Sequence, residues 1–512
     1  MWLLYAPVAA LAVYIIYQRL FHPLARIPGP FFASITSFWI TWQSSHQRRP
    51  RLDLDLHKQY GSVVRISPNE VIFSNPAYFK QVYGAGTKFT KGPFYNVLQD
   101  GTEPQGREKL NMLVETDIEK LRVQKRYAGP VYSTNNIQKH EHHIDDTLKR
   151  MIKRFNGLTG QVVDIYHEWE MATVDVYSAV TFGQEYGAVE KGTDDGHMAA
   201  MDKVWEWWGM IGNIPWLDDL EKRYARVAMK LITGNQNRHK MPVFAYAVGK
   251  IMEYDEAKTK DKETQMPPCI LNDLRQLSQN RPDFLPNWGT RLAMTDLGAG
   301  VDTTSWSLAA MIAGISSDKA VVARLRAELD AAIQAGTVGK NVPVPYAAAA
   351  KLEYLQACMA EAMRMWPNIA IGLPRDVPAE GIVLDGYYIP AGYTIGMNSK
   401  QLGVSEEIFG PDPRTFRPER WLEADRSRRN DMELRNLAFG APSRKCPGMH
   451  LAWVVMSKML ASFYLNFDLK VLNELDGAPG PGGSVWREKG SFPTKWHGLE
   501  VELTERLDTL SL

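Results

Sequence analysis

The sequence predicts a mainly α-helical protein with small β-sheets. Apolar residues recur at three-to-four-residue spacing from about Thr290 to Ile315. They do so again through Leu451, Val454, Val455, Met459, Leu460 and Phe463. Both runs are long enough for a packed helix. Strand signals are short by comparison: Val63–Ser67, Glu70–Ser74, Gly381–Leu384 and Tyr387–Ile389. Turn residues bound them, at Pro68-Asn69, Asp385-Gly386 and Pro390-Ala391-Gly392. The chain has 512 residues, enough for several average domains. Its composition, 45% hydrophobic and 23% charged, is that of an ordinary globular protein. A formal net charge of +1 gives no polyanion-binding bias, so no nucleic-acid partner is expected. Three widely spaced cysteines make neither a disulfide framework nor a zinc site, and they suit a reducing compartment.

Met1 to Tyr17 is apolar and uncharged, and Arg19 closes it. Trp2, Tyr5, Tyr14 and Tyr17 are the residue types that sit at membrane interfaces, so residues 1–18 read as a single-pass transmembrane anchor. The basic residues Arg19 and Arg26 follow the apolar run, whereas a cleaved signal peptide has them first. By the positive-inside rule the chain beyond then stays cytosolic. Residues 19–34 read as a basic, proline-rich hinge, because Pro23, Pro28 and Pro30 cannot continue a helix.

Val63–Ser67 and Glu70–Ser74 are expected to pair as a hairpin. Thr87 to Asp117 mixes Gly, Pro and charge and reads as a long loop, and Glu119 to Tyr132 as a helix. His140, His142 and His143 have no further ligand type nearby and read as a solvated helix face. Trp205, Trp207, Trp208 and Trp216 cluster as core packing, a channel wall or an interface contact. Tyr254 to Pro268 reads as a surface connection.

Ala299-Gly300-Val301-Asp302-Thr303-Thr304 interrupts a long helical pattern. Gly costs about 1 kcal/mol against Ala in a helix, and Thr can bond its hydroxyl to the preceding turn. Local weakness beside a carboxylate marks a functional stretch. Glu361 and Arg364 stand i, i+3 on a helix, and Phe416-Arg417-Pro418-Glu419-Arg420-Trp421 follows. In Phe439 to Gly448, Cys446 sits in a tight turn just before the last helix. Unpaired helix N–H groups and the cations Arg444 and Lys445 are expected to favour its thiolate, the metal-binding form. Gly448 allows close backbone approach to a flat partner. Cys269 and Cys358 read as small buried hydrophobes.

These four stretches, in this order, resemble the cytochrome P450 family. Phe439, Arg444, Cys446 and Gly448 match its haem loop, with Pro442 standing where the family usually has glycine. Residues 299–304 match its oxygen-activation motif. Glu361, Arg364 and residues 416–420 match its Glu-x-x-Arg and Phe-x-Pro-Glu-Arg segments. The resemblance covers nearly the whole chain and implies one catalytic domain, residues 35–512, of cytochrome P450 fold behind the anchor. It implies haem b with Cys446 as axial ligand, where a thiolate favours O–O cleavage. It implies propionate contacts from Arg375, Arg444 and, aligned on Pro130, Lys125. Thr303 and Asp302 would deliver protons, and Gly300 would leave room for O₂. Glu361, Arg364 and Arg420 would form a buried network, with pocket walls at Ile369–Leu373 and Ser491–Pro493. The expected activity is O₂-dependent oxidation of a small, largely apolar substrate, with electrons from NADPH-cytochrome P450 reductase. The expected location is the endoplasmic reticulum membrane. Anchor, basic residues and hinge look microsomal, and the Cys loop looks most like fungal members that tailor secondary metabolites. An O₂-independent haem-thiolate isomerase or dehydratase, or a non-catalytic haem-binding protein, is the alternative; intact Asp302 and Thr303 speak against the first.

Overall fold

The computed structural model describes residues 2–98, 112–217, 220, 241–260, 266–281, 283–472, 474–475, 485–486, 488–496 and 498–506. The N-terminal helix is α1 (Trp2–Ile16), and six helices position the site: α2 (Ile118–Ala128), α3 (Ile165–Phe182), α4 (His197–Ile211), α5 (Val301–Ser316), α6 (Glu353–Met365) and α7 (Met449–Asn466). The strands are β1 (Val63–Ser67), β2 (Glu70–Phe73), β3 (Thr90–Lys91), β4 (Arg375–Asp376), β5 (Thr394–Gly396), β6 (Glu488–Gly490) and β7 (Thr494–Trp496). Helices dominate and the sheets are small, as the sequence predicts.

Helix α5 is the axis of the core. It is buried along most of its length and packs against α3, α6 and α7. Its residues are small or apolar on nearly every side, the pattern of a helix enclosed by others. The main sheet runs β1-β2-β5-β4-β3. The pair β1–β2 is the expected antiparallel hairpin, with a bulge between Arg65 and Ser67. β2 pairs parallel with β5, and β5 and β3 flank β4 antiparallel. Ile382–Leu384 and Tyr387–Ile389 form a second hairpin. Its turn places Asp385 at φ 45° and Gly386 at φ 88°, the left-handed pair that a two-residue hairpin loop requires.

Four expectations need correction. First, among the described residues no helix is long and apolar enough to cross a membrane. Helix α1 has 15 residues, about 22 Å at the α-helical rise, against a hydrocarbon core of about 30 Å. A π-helical turn, Tyr17–Phe21, follows and ends at extended His22. The basic, proline-rich residues 19–34 that follow are held against the sheet. The buried Arg65 guanidinium donates to the Gln18 carbonyl at 3.0 Å, the Gln18 side chain at 2.7 Å and the Pro68 carbonyl at 2.9 Å. The Arg65 amide also donates to the Pro28 carbonyl at 2.8 Å, so the segment is docked on β1.

Second, His140 and His143 are buried rather than solvated. His140 Nε2 lies 2.8 Å from Asp273 Oδ2, and His143 Nε2 lies 2.9 Å from the Pro268 carbonyl. Both tie the helix Glu141–Leu158 and its leading turn to the helix Ile270–Asn280 and the residues just before it. Third, Tyr254 belongs to a helix, Pro242–Thr259. Its ring is buried and its hydroxyl meets Cys269 Sγ at 2.9 Å, so packing overrides the polar composition. Residues 261–265 of that expected connection lie outside the described residues. Fourth, the Thr87–Asp117 stretch contains β3 and a 3-10 segment, Pro93–Leu98, while residues 99–111 lie outside the described residues.

Candidate active site

One cavity, of about 260 Å³, lies between α5 and the loop before α7. Cys446 forms part of its floor, and Asp302 and Thr303 face it from α5. Phe439, Arg444, Gly448, Arg375 and Lys125 line it too, so every site residue expected from the sequence comes to this one place.

The loop is shaped by Gly440, whose φ of 77° only glycine adopts freely. Pro442 then opens a short 3-10 turn, Pro442–Arg444. Proline is tolerated at a first helical position because no N–H is needed there. The departure at Pro442 therefore leaves the turn intact. The Cys446 amide donates to the Phe439 carbonyl at 2.8 Å, and the Phe439 ring meets Trp453 edge-on at 6.2 Å. Gly448 caps α7 with an ordinary φ of −79°, so its backbone does not demand glycine. A Cβ there would meet only Cys446 Sγ, at 4.0 Å, and would take up open space above the loop.

Burial pushes the Cys446 thiol up from its ordinary value. The amides of Gly448 and Met449 and the Lys125 ammonium pull it down without winning. The helix-end amides and a nearby cation thus act on the thiol in the expected direction, against the desolvation of the site. A bound metal ion deprotonates a thiol outright, so coordination supplies what the loop does not.

Cations gather at one edge. Arg375 is buried on β4, and Lys91, which sequence reasoning missed, is its cross-strand partner on β3. Like charges directly opposite in a sheet destabilise it. Lys91 Nζ donates to the Met112 and Leu113 carbonyls at 2.9 and 2.8 Å. Lys125 Nζ donates to the Lys445 carbonyl at 2.8 Å and the Ser443 carbonyl at 3.4 Å, tying α2 to the Cys loop. Arg444 Nη1 donates to Ser443 Oγ at 2.9 Å, while its Nε and Nη2 are buried without a partner. Burial and neighbouring Arg375 push Arg444 down to about 10. Burial, then the Arg444 charge, push Lys125 down to about 8 against the pull of Cys446. Lys91, Lys125 and Arg444 are held below their ordinary values, and Arg444 keeps unsatisfied donors. The gathered cations and the unpartnered Arg444 donors fit a group that brings carboxylates to this edge. The only local signal for Lys91 was a charged residue within a loop.

On the opposite side, a π-helical stretch, Asp296–Gly300, leads into α5. The weak helical run expected at 299–304 is thus a distortion upstream of Thr303. Gly300 has a cause that the sequence did not reveal: an added Cβ would collide with the Tyr177 ring of α3. The Tyr177 hydroxyl hydrogen-bonds Thr304 Oγ1 at 2.7 Å. Thr303 Oγ1 donates to the Ala299 carbonyl at 2.7 Å, which leaves its lone pairs to accept from the cavity. Asp302 is buried and accepts from Trp205 Nε1, with Lys495 Nζ at 3.5 Å. Burial pushes its carboxyl up, and Lys495 and Trp205 offset part of that. Asp296, also on the wall, is pushed by burial up to about 8 and accepts from Tyr132 at 3.0 Å.

The remaining wall is largely apolar: Leu113, Trp205, Leu292, Ile369, Leu373 and Phe492. Trp208 is buried against Phe492 at 4.2 Å, whereas Trp216 is exposed. Behind the site, Glu361 accepts from Arg364 Nε and Nη2 at 2.8 and 2.7 Å, Arg420 Nε at 2.8 Å and Trp421 Nε1 at 2.9 Å. Among the described residues, no group of three or more His, Cys, Asp or Glu side chains could hold a metal ion.

The model of one protein family, cytochrome P450, matches residues 28–490. The chain is 31% identical over 490 residues to the cytochrome P450 monooxygenase sdnT of Sordaria araneosa, spanning 89% of this chain and 88% of that one. It is 31% identical over 483 residues to the monooxygenase mfmA of Annulohypoxylon moriforme, 91% of each. It is 27% identical over 468 residues to pisatin demethylase of Fusarium vanettenii, 90% of this chain and 86% of that one.

Proposed function

The chain belongs to the cytochrome P450 family of haem-thiolate monooxygenases, and from that premise we propose how its own residues divide the work. Members of the family use O₂, a redox partner and an organic substrate. Cys446 would supply the sulfur that holds haem iron. Arg375, Arg444, Lys125 and Lys91 would hold the haem propionates, and Phe439 and Gly448 would shape the sulfur side. The observation that carries this reading is one cavity with a single thiol on its floor, unpaired guanidinium donors at its edge and an acid–alcohol pair opposite. Bound haem supplies oxygen activation, which this fold's side chains cannot.

Asp302 and Thr303 move protons. The Asp302 carboxyl takes a proton from solvent, and the Thr303 hydroxyl passes it into the cavity while keeping its place through the Ala299 carbonyl. The apolar wall desolvates and seats a small, largely apolar substrate. Its wording around the Cys loop suggests a secondary metabolite, and electrons come from NADPH-cytochrome P450 reductase. The test is Thr303→Ala, assayed with that reductase for hydrogen peroxide released per NADPH consumed. The variant should keep its thiolate spectrum while peroxide rises sharply. Loss of one proton-transfer group typically costs about 10²-fold or more in the dependent step. Unchanged coupling removes Thr303 from the relay.

We further propose attachment to the cytosolic face of the endoplasmic reticulum through α1 and the apolar surface beside it. Phe21, Phe31, Phe32, Phe38 and Trp42 are exposed there, close in sequence to the docked segment. Deleting residues 1–16, which spares the Gln18–Arg65 contact, should shift the protein from the membrane fraction towards the supernatant. Undiminished membrane binding places the attachment elsewhere.

A further inference from the structure

Asp302 has a second side. Beyond it lies a small cleft lined by Gln47, Asp202, Glu206, Lys489 and Lys495, and Trp205 and Pro493 border both this cleft and the main cavity. Lys495 stands between the two spaces. Its ammonium pairs with Asp202 on α4 and lies 3.5 Å from Asp302 on α5. It sits on β7, two residues after Pro493 of the cavity wall. That hairpin is seated tightly on α4, where a Cβ at Gly209 would collide with Ser491. Hence the residue that faces Asp302 from outside belongs to the same rigid turn as the wall that faces the substrate.

We propose that Lys495 is a positioning residue for Asp302, holding its carboxylate between cavity and cleft, and that the cleft is where the proton taken up at Asp302 enters. This rests on the proposed role of Asp302 in proton delivery. A proton from cleft water converts the Asp302 carboxylate to the acid. Passing it to the Thr303 side restores the carboxylate, so one solvent proton crosses for each that is consumed. Lys495 stays an ammonium throughout. Burial pushes Lys495 down, but Asp302, Asp202 and Glu170 together raise it. The groups facing this centre are Asp202 and His197 on α4, Glu170 and Tyr166 on α3, and Asp302 itself on α5. Trp205 holds the second Asp302 oxygen, so the ammonium and the indole together fix the carboxylate.

The experiment is a double-mutant cycle, K495M, D302N and K495M/D302N, on the haem-loaded protein from pH 5.5 to 9, with K495R as the conservative control. Thermal unfolding is one readout. K495M should leave Asp302 buried without its cation, so its deficit against wild type should widen as pH rises and shrink as Asp302 protonates. That deficit should be much smaller in the D302N background, and K495R should restore most of it. The other readout is peroxide released per NADPH, without substrate, in the presence of the reductase. Removing the cation should move its pH midpoint up by about 1–3 units, the usual effect of losing an adjacent opposite charge. A K495M deficit that is the same at every pH and in both backgrounds overturns the positioning role. An unmoved peroxide midpoint in K495M, with D302N itself uncoupled, overturns the proton entry. If D302N leaves peroxide unchanged, the role of Asp302 is what fails, and the unfolding cycle still reports on the pairing separately.

Discussion

Cys446→Ala should abolish the thiolate-type Soret band in the difference spectrum of the dithionite-reduced protein with and without carbon monoxide. Oxygen-dependent turnover should fall to background with it. The argument is geometric. Of the three cysteines, Cys269 and Cys358 are fully buried in the helical core, and only Cys446 lines the cavity. Neither of the other two thiols can reach the cavity without refolding the core. Cys269→Ala and Cys358→Ala should therefore keep the band. The loss in C446A should be complete rather than graded, because electron donation from sulfur to iron is a property of the ligand type. A normal thiolate band in C446A would mean that the ligand is elsewhere.

Arg364→Ala and Glu361→Gln should each destabilise the protein severely, by about 3–5 kcal/mol, the usual cost of breaking a buried ion pair from one side. Both side chains are fully buried, and Glu361 also accepts from Arg420, Trp421 and the Arg417 amide. Arg364 further donates to the Pro413 carbonyl at 2.6 Å and to that of Gly403, so its loss strands carbonyls as well as a carboxylate. Burial pushes the Glu361 carboxyl up, but the bonds and charges of Arg364 and Arg420 outweigh it and hold it below the ordinary value. A depressed carboxyl stabilises the fold above its unfolded value, and that contribution is lost as pH falls through the folded value. The gap between wild type and Glu361→Gln, read as the urea midpoint, should accordingly be full at neutral pH and narrow below the ordinary glutamate range. Arg364→Lys should rescue little, since an ammonium cannot make the paired bonds of a planar fork. Full stability in R364K would show that charge alone suffices.

How much of this was legible in the sequence differs residue by residue. The Cys446 turn, the α5 run at 299–304, the Glu361–Arg364 pair and the β1–β2 hairpin are built from neighbours in the chain. Their chemistry is set by turn residues, helical spacing and strand alternation, all of which are local. Arg375 and Arg444 were found through the resemblance, by their place in its motifs. Lys91 was not found, because it matters only through pairing with Arg375, far away in the chain, in a two-residue strand with no pattern of its own. His140 and His143 were misread for the same reason: their partners are Asp273 and the Pro268 carbonyl.

The sequence by itself determined the family, the mainly helical class, the sulfur ligand expected of Cys446 and the acid–alcohol pair of Asp302 and Thr303. Each rests on residues a few positions apart, where backbone geometry leaves little choice. Tertiary structure alone decided that Gly300 yields to Tyr177 and that burial pushes the Cys446 thiol up. It also decided that the N-terminal segment is clamped by Arg65 and that Lys495 faces Asp302. Those outcomes depend on which distant surfaces meet and how completely they exclude water. Contact and desolvation between distant segments leave no periodic trace in a chain.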